Sequence, residues 1–375
     1  MPDLGAHLQL LIGPTVPLPA PYALMDAFVS LEVTNRDQDF DGFRLSFSLG
    51  KDSLIDYGLL ASGLLDPPSR VIIVAIIGVL PQVLIDGIIT DHQISPSNKP
   101  GESTLSVLGK DITLKLSLEE KSETYPNQPD SIIVTRLLAN YATLGLVPQI
   151  TPTTDVPIEV NRVPTQQGND LDFIRELATR NGYVFYIEPT PIPGVNTAYW
   201  GIDNRLGVPQ PALTMNMGGN TNVDMPMTFS YDALGPTQPQ VSIEDPTTKI
   251  SVPIPLPSSL HPPLARRPAT PMRKTLTRDT ANLNPAQAAL RGLSSANQSS
   301  DAVSASGEVD AVRYGQALRS RRLVDVRGVG QSYGGTYYVK EVTHRMQRGE
   351  YKQSFTLSRE GTGALLPVVV PSPNG

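Results

Sequence analysis

The chain has 375 residues, 39% of them hydrophobic and only 18% charged, with 36 prolines, 30 glycines and no cysteine. That length can bury two or three small cores, and few charges with many turn residues predict a β-rich protein rather than a helical bundle. Disulfides, thiolate nucleophiles and Cys-ligated metals are excluded, while a net charge of −6 is too mild to select a nucleic-acid or membrane partner.

Met1 to Tyr22 is apolar but holds five prolines and no Lys or Arg. Secretory signals begin basic and continue apolar without a break, so no signal peptide is expected. Residues 1–24 are read as an N-terminal arm or a strand. Phe43, Leu45, Phe47 and Leu49 then alternate with Arg44, Ser46 and Ser48, which marks a strand with one buried face, preceded by an Asp39-Phe40-Asp41-Gly42 turn. The run Val71-Ile72-Ile73-Val74-Ala75-Ile76-Ile77-Gly78-Val79-Leu80 is too short to cross a membrane as a helix, and Pro81 breaks it. Its β-branched content predicts one arm of a buried hairpin, and no membrane span is expected. Strands are also expected at Asp86–Thr90, at Thr104–Gly109 and, from the alternation, at Ile112–Leu118, enough to close a small barrel over residues 25–120.

Two helices follow. Asp130 is expected to cap the first, in which Ile133, Leu137, Tyr141 and Leu144 share a face that ends at Gly145. The second starts at Asn169 or Asp170, buries Leu171, Ile174 and Leu177, stops at Asn181-Gly182 and leads into the strand Tyr183-Val184-Phe185-Tyr186-Ile187. These assign an α/β connecting part to residues 121–215. Residues 216–362 are read as a second β-barrel. Ten prolines between Pro236 and Pro271, and the Ala/Ser-rich run from Thr280 to Ser306, interrupt it as long loops (about 236–306), with a short helix near Pro285–Leu293. From Pro246 to Arg278 there is no Asp or Glu, while Lys249, Arg266, Arg267, Arg273, Lys274 and Arg278 are basic. A solvated loop or a contact with an acidic partner subunit would account for that bias. Strands return at Arg322–Arg327 and as a hairpin through Tyr337–Met346 and Tyr351–Leu357, closed by Arg348-Gly349-Glu350. Residues 363–375 are expected to be a tail.

No constellation for chemistry assembles. His7, His92, His261 and His344 are scattered without ligand spacing, and His344 shares a strand face with Val342 and Met346, which marks it as a packed histidine. Gly109-Lys110 is followed by Asp111 where a phosphate loop needs Ser or Thr, and the spacing around Gly328-Val329-Gly330 and Gly334 fails the dinucleotide pattern. Asp39 with Asp41, and Asp170 with Asp172, sit in turn and cap contexts. No catalytic, cofactor-binding or metal-binding residue is therefore assigned, and no enzyme activity is expected.

Three stretches resemble the tail-hub family, which includes the phage late control D proteins, the baseplate hubs of contractile phages and the hub portion of type VI secretion spike proteins. The first is Gln166-Gln167-Gly168-Asn169-Asp170-Leu171-Asp172-Phe173-Ile174-Arg175-Glu176-Leu177-Ala178, continuing to Asn181-Gly182-Tyr183, with Asn169 where the family more often has Ser. The second comprises Val326-Arg327-Gly328-Val329-Gly330, Gly335-Thr336-Tyr337-Tyr338-Val339, Val342-Thr343-His344 and Gly349-Glu350-Tyr351 through Leu357. The third is Val107-Leu108-Gly109-Lys110-Asp111.

This resemblance, covering about Phe28 to Arg359, implies a mainly β protein with two related β-barrels joined by α/β material. It implies a homotrimer whose six barrels adapt a trimeric spike below to a hexameric inner tube or tube initiator above, alongside other baseplate subunits. The chain would be made in the cytoplasm and incorporated in a phage tail or injection-system baseplate. No periodic Val-Gly repeat follows the hub portion before Gly375, so the spike is expected on a separate polypeptide. A hub or distal-tail protein of a non-contractile tail, and a tail-associated cell-wall hydrolase, are the alternatives. A sugar-binding β-sandwich is disfavoured, because a single Trp200 and 6% aromatic residues offer few stacking surfaces.

Overall fold

The structure, a computed structural model, describes residues 5–14, 16–49, 58–99, 102–153, 155, 163–203, 205–244, 251–257, 259, 261–276 and 285–365. A 13-stranded sheet dominates it. From edge to edge the strands run Thr228–Tyr231, Val303–Asp310, Glu350–Arg359, Gly335–Gln347, Phe28–Arg36, Gly42–Ser48, Thr104–Asp111, Leu80–Ser95, Arg70–Ile77, Ala6–Gly13 and Leu18–Pro19. Leu323–Arg327 joins at the side of Gly335–Gln347, and Gln210–Thr214 lies parallel to Leu323–Arg327.

The expected pair of closed barrels is not formed: among the described residues no barrel closes. The reason lies in Gly335–Gln347, which is 13 residues long. Its first part pairs with Leu323–Val326, and its second, Glu341–Gln347, pairs with Ser30–Arg36. The free edge of Phe28–Arg36, which would have had to close the first block on itself, is therefore occupied by the last third of the chain. One sheet carries two β blocks.

Each block has its own core. The first gathers Leu10, Ile12, Leu31, Val33, Phe43, Leu45, Phe47, Ile73, Leu84, Leu105 and Val107, together with Met346 and Tyr351 from the second. Ala6–Gly13, expected as an arm or a strand, is a strand paired along its length with Arg70–Ile77. The apolar hairpin Arg70–Ile77/Leu80–Ser95 forms as expected. It is covered on both faces, because Val71, Ile73, Ala75 and Ile77 enter the first core while Ile72, Val74 and Val83 form a small cluster that Leu11 and Ile76 complete. The second core is built from Leu213, Val303, Val309, Leu318, Val324, Val326, Tyr337, Val339, Val342, Phe355 and Leu357.

A third cluster lies in the α/β part, around Trp200, Tyr125, Ile133, Leu137, Leu171, Phe173, Ile174 and Leu177. Here Asp130–Ala139 and Asp170–Arg180 are helices, beside the sheet Tyr183–Pro189, Asn196–Ile202 and Leu146–Ile150. Asn169 caps the second helix by accepting from the Asp172 N–H at 2.9 Å, and Gly182 follows at φ +71°. Asp130 makes no such cap. It stands inside the first turn, where its carboxylate accepts instead from Arg180 and Asn181. The helix ends at Ala139, and a 3-10 turn, Ala142–Leu144, carries the pattern on to Gly145.

The alternating stretch Ile112–Leu118 is not a strand. Ile112–Ser117 winds as a 3-10 helix because the Asp111 carboxylate accepts from the Thr113 N–H at 3.0 Å and turns the chain there. Nor is the segment around 236–306 simply loop. Thr237–Glu244, Ser251–Ile254, Ala265–Pro268 and Arg273–Leu276 are short strands, Pro285–Gln298 is a helix longer than expected, and Val303–Asp310 pairs with Glu350–Arg359 over eight residues. Small side chains explain the helix: Ala288 and Ala296 are fully buried, and a Cβ on Gly292 would collide with Val241 and Leu256. The tail beyond Leu365 lies outside the described residues, although Gly361–Ala364 is a strand against Ala265–Pro268.

Candidate functional site

The four histidines stay apart. His7 is exposed on an outer strand, and His92 Nδ1 lies 3.9 Å from Asp66 Oδ1. His344 is fully buried, with Nδ1 2.9 Å from the Tyr351 hydroxyl. Burial, with Arg319 nearby, pushes its imidazole down to about 3, so it stays neutral. His261 Nε2 lies 3.0 Å from Asp203 Oδ2, beside a cavity of about 180 Å³ lined also by Arg205, Ser259, Glu360 and several prolines. Two of the cavity's charged side chains, Arg205 and Glu360, hydrogen-bond within the fold, although Arg205 Nε and both ring nitrogens of His261 are buried without a hydrogen bond among the described residues. Arg205 donates to both oxygens of Asp301, at 2.8 and 3.2 Å, and Glu360 Oε1 accepts the N–H groups of Leu264 and Ala265. Among the described residues no group of three His, Asp or Glu side chains could hold a metal ion.

The buried charges instead line the joints between the three clusters. Arg70 donates to both oxygens of Asp86 at 2.8 and 2.6 Å, and to the carbonyls of Leu144 and Gly194. Asp86 also accepts from Asn196 at 2.8 Å, so this pair ties the apolar hairpin to the α/β part. Arg321, in a left-handed conformation at φ +61°, lies 3.5 Å from Asp41 Oδ1 and over the Tyr186 ring. It thereby joins all three parts. Asp41 accepts from the Arg36 N–H and from Asn35, and Asp111 accepts from the Asp41 N–H at 2.9 Å. Burial and the neighbouring Asp41 carboxylate push the Asp111 carboxyl up to about 7. With their oxygens engaged by backbone and Arg321, this carboxylate pair holds a joint and offers no free base. Arg319 reaches the Val83 carbonyl, and Gln82 accepts from the Ala317 N–H, stitching the two β blocks further.

Each of the three motifs has a structural role. Gln166, fully buried, accepts from the Tyr125 hydroxyl and donates to Asp170 Oδ1, each at 2.7 Å. Asp170 also accepts from Lys121 and the Tyr141 hydroxyl, so the Gln-to-Asp spacing of four marks a buried polar node. Gly109 has no room for a Cβ, which would lie 2.3 Å from the Ile88 carbonyl oxygen and the Phe43 ring; that close packing, not a phosphate, is why glycine precedes Lys110. Gly328, at φ +79°, abuts the Met215 carbonyl in a strand-ending turn. Asp39 accepts from the Phe40 N–H in its turn, and Asp172 stands in the first turn of its helix. Arg319 and Arg321 were invisible as joint residues in the sequence, since an arginine in a strand or loop carries no local signal of burial.

The exposed surface carries two charged faces. Arg266, Arg267, Arg273 and Lys274 are exposed on two short strands that follow one another in the chain, and Glu119, Glu120, Asp172 and Glu176 are exposed on the α/β part. Among the described residues no helix is long and apolar enough to cross a membrane.

No curated protein sequence matches this chain significantly. A family model described as the Alg8 N-terminal domain matches residues 43–196. That span is under half the chain, starts within the strand Gly42–Ser48 and ends on the first residue of Asn196–Ile202, so it follows no folded unit. Among solved structures, the chain is similar to the prophage MuSo2 43 kDa tail protein of Shewanella oneidensis, with 13% identity over 95% of this chain and 98% of that one, at a TM-score of 0.65. It is also similar to the tail protein of Neisseria meningitidis MC58, with 14% identity over 96% and 98% of the two chains and a TM-score of 0.61. A third likeness is to the E. coli c3393 protein, a component of the type VI secretion system, with 12% identity over 92% and 77% of the chains and a TM-score of 0.56. At such identities the likeness establishes the fold, and the fold is that of phage-tail and type VI secretion tail proteins.

Proposed function

We propose that this chain is a structural baseplate hub of a phage tail or contractile injection machine, assembling as a homotrimer. Two β blocks per chain then become six around the ring. A three-fold spike can be seated on one side while a six-fold inner tube starts from the other. The observation that carries this reading is the presence of two distinct cores at the two ends of a single sheet. It is supported by a tail-protein fold that extends over nearly the whole chain. Within this reading residues 25–120 and 216–362 form most of the two β blocks, completed by the strands Ala6–Gly13 and Gln210–Thr214, and 121–215 otherwise form the α/β domain joining them.

The hub acts by geometry rather than catalysis. Its buried ion pairs lock the two blocks in a fixed relative orientation, which is what a symmetry adaptor needs. Negative-stain microscopy of the purified chain is expected to show a three-fold annulus with six lobes. Isolated monomers at assembly concentrations, or a ring with three lobes, would overturn the proposal. Clearing of purified peptidoglycan by the chain alone in a zymogram would overturn the non-enzymatic part.

A further inference from the structure

The strands Thr228–Tyr231 and Val303–Asp310 are direct neighbours, with Tyr231 opposite Val303, so the sheet is complete without the residues between them. Among them the described residues lie off this sheet and form the short strands and the helix Pro285–Gln298. In this stretch Arg266 and Arg267 sit on Ala265–Pro268, and Arg273 and Lys274 begin Arg273–Leu276. All four side chains are exposed, and none makes an ion pair with a described residue. From Pro246 to Arg278 the chain holds no Asp or Glu, although its net charge is −6. Like charges gathered without compensation repel one another, and the fold gains nothing from them. Met272 and Leu276, 71% and 72% exposed, lie in the same stretch and add apolar area to it.

The complementary face is on the α/β part. Glu120 is the register partner of Asn169, the cap of the Asp170–Arg180 helix. Asp172 and Glu176, four residues apart, share one exposed face of that helix, and Glu119 adjoins Glu120. Glu119, Glu120 and Glu176 also make no ion pair with a described residue.

We infer that the exposed basic segment of one copy, carrying Arg266, Arg267, Arg273 and Lys274 and called its basic face, docks on the acidic face of a second copy, Glu119, Glu120, Asp172 and Glu176. The inference rests on the proposed trimer and names the surfaces that hold it together. Two different patches meeting make a heterologous contact, and such contacts close into rings when the rotation between copies allows. Rim charges of this kind set partner choice and approach rate, and salt weakens them.

The test uses the full chain, with association followed by light scattering and sedimentation in about 50 mM and about 500 mM salt. The trimer dissociation constant is expected to rise about tenfold or more across that salt range. Reversing the basic face (R266E, R267E, R273E, K274E) is expected to raise it about 100-fold, and so is reversing the acidic face (E119K, E120K, E176K). In an equimolar mixture of the two reversed chains every mixed contact is complementary, so a mixed trimer has two attractive contacts and one repulsive one. It is expected to form more tightly than either reversed chain alone, whereas one chain carrying both reversals regains the trimer to within about tenfold. If four reversals impair folding, the milder pair R266Q with R273Q, checked by its unchanged circular dichroism, is expected to weaken the trimer about fivefold. A reversed chain that trimerises like the wild type overturns this inference alone, as does a doubly reversed chain no better than either single reversal. Tight binding of duplex DNA by the basic face without any change in association overturns it too. A wild-type chain that remains monomeric at every concentration overturns the trimer itself.

Discussion

Asp111 shows how one residue can serve two ends at once. It closes the strand Thr104–Asp111, starts the 3-10 turn by accepting from Thr113, and meets Asp41 in a buried carboxylate pair. An acid whose folded value is raised to about 7 still holds its proton after the unfolded chain has released it near 3.8. Protons bound to the native state then exceed those on the unfolded state between about pH 4 and pH 7, so this group makes stability fall as pH rises through that window. The slope from one such group is at most about 1.4 kcal/mol per pH unit. His344 works in the opposite direction as pH falls below its ordinary value, so the useful quantity is a difference. Urea midpoints of the wild type and Asp111→Asn at pH 5 and pH 8 are expected to show the wild type losing more stability than the variant on going to pH 8. Equal losses would mean that Asp111 is ionised throughout. Gly109→Ala is a second test at this scale: its Cβ would fall on the Ile88 carbonyl and the Phe43 ring, and the variant is expected to be recovered unfolded or insoluble.

Among the elements, the Asp170–Arg180 helix was legible in full, because cap, period and stop signal are all local. Asn169→Ala removes the acceptor for the Asp172 N–H and is expected to lower stability by about 1 kcal/mol in urea titration, while Asn169→Ser retains most of it. Asp130 looked like the same kind of cap, but a long-range partner, Arg180, competed for its carboxylate. Ile112–Ser117 departs from its sequence pattern for a related reason. Alternation over seven residues fits a strand, but a single side chain accepting from the next turn changed the backbone, and that choice depends on Asp111 being pinned from Asp41. The Ala/Ser-rich run resembled a loop because small residues have little to bury alone. Packed between Val241 and Leu256 on one side and the α/β part on the other, their smallness is what permits the helix. Arg70→Ala is expected to destabilise by about 3–5 kcal/mol, because it would leave Asp86 buried with only Asn196 as a donor.

For the whole molecule, the decisive contact is the pairing of Glu341–Gln347 with Ser30–Arg36, roughly 300 residues apart in sequence by their numbering. It turns two blocks into one sheet and leaves Phe28–Arg36 without a free edge. A fragment ending before Leu323 would expose that edge, and edge strands of this length pair with other chains. Such a fragment is expected to be insoluble, and co-expression with the remaining C-terminal segment is expected to return it to the soluble fraction; a soluble, monomeric fragment would show that the first block closes alone. The apolar hairpin, both principal helices and most of the strands were written locally, in periods of two and 3.6 and in cap and turn residues. Which strand lies beside which, whether a block closes, and which arginine neutralises which buried acid were decided only by tertiary structure. Those choices are made between residues far apart in sequence, where no local period or spacing records the partner.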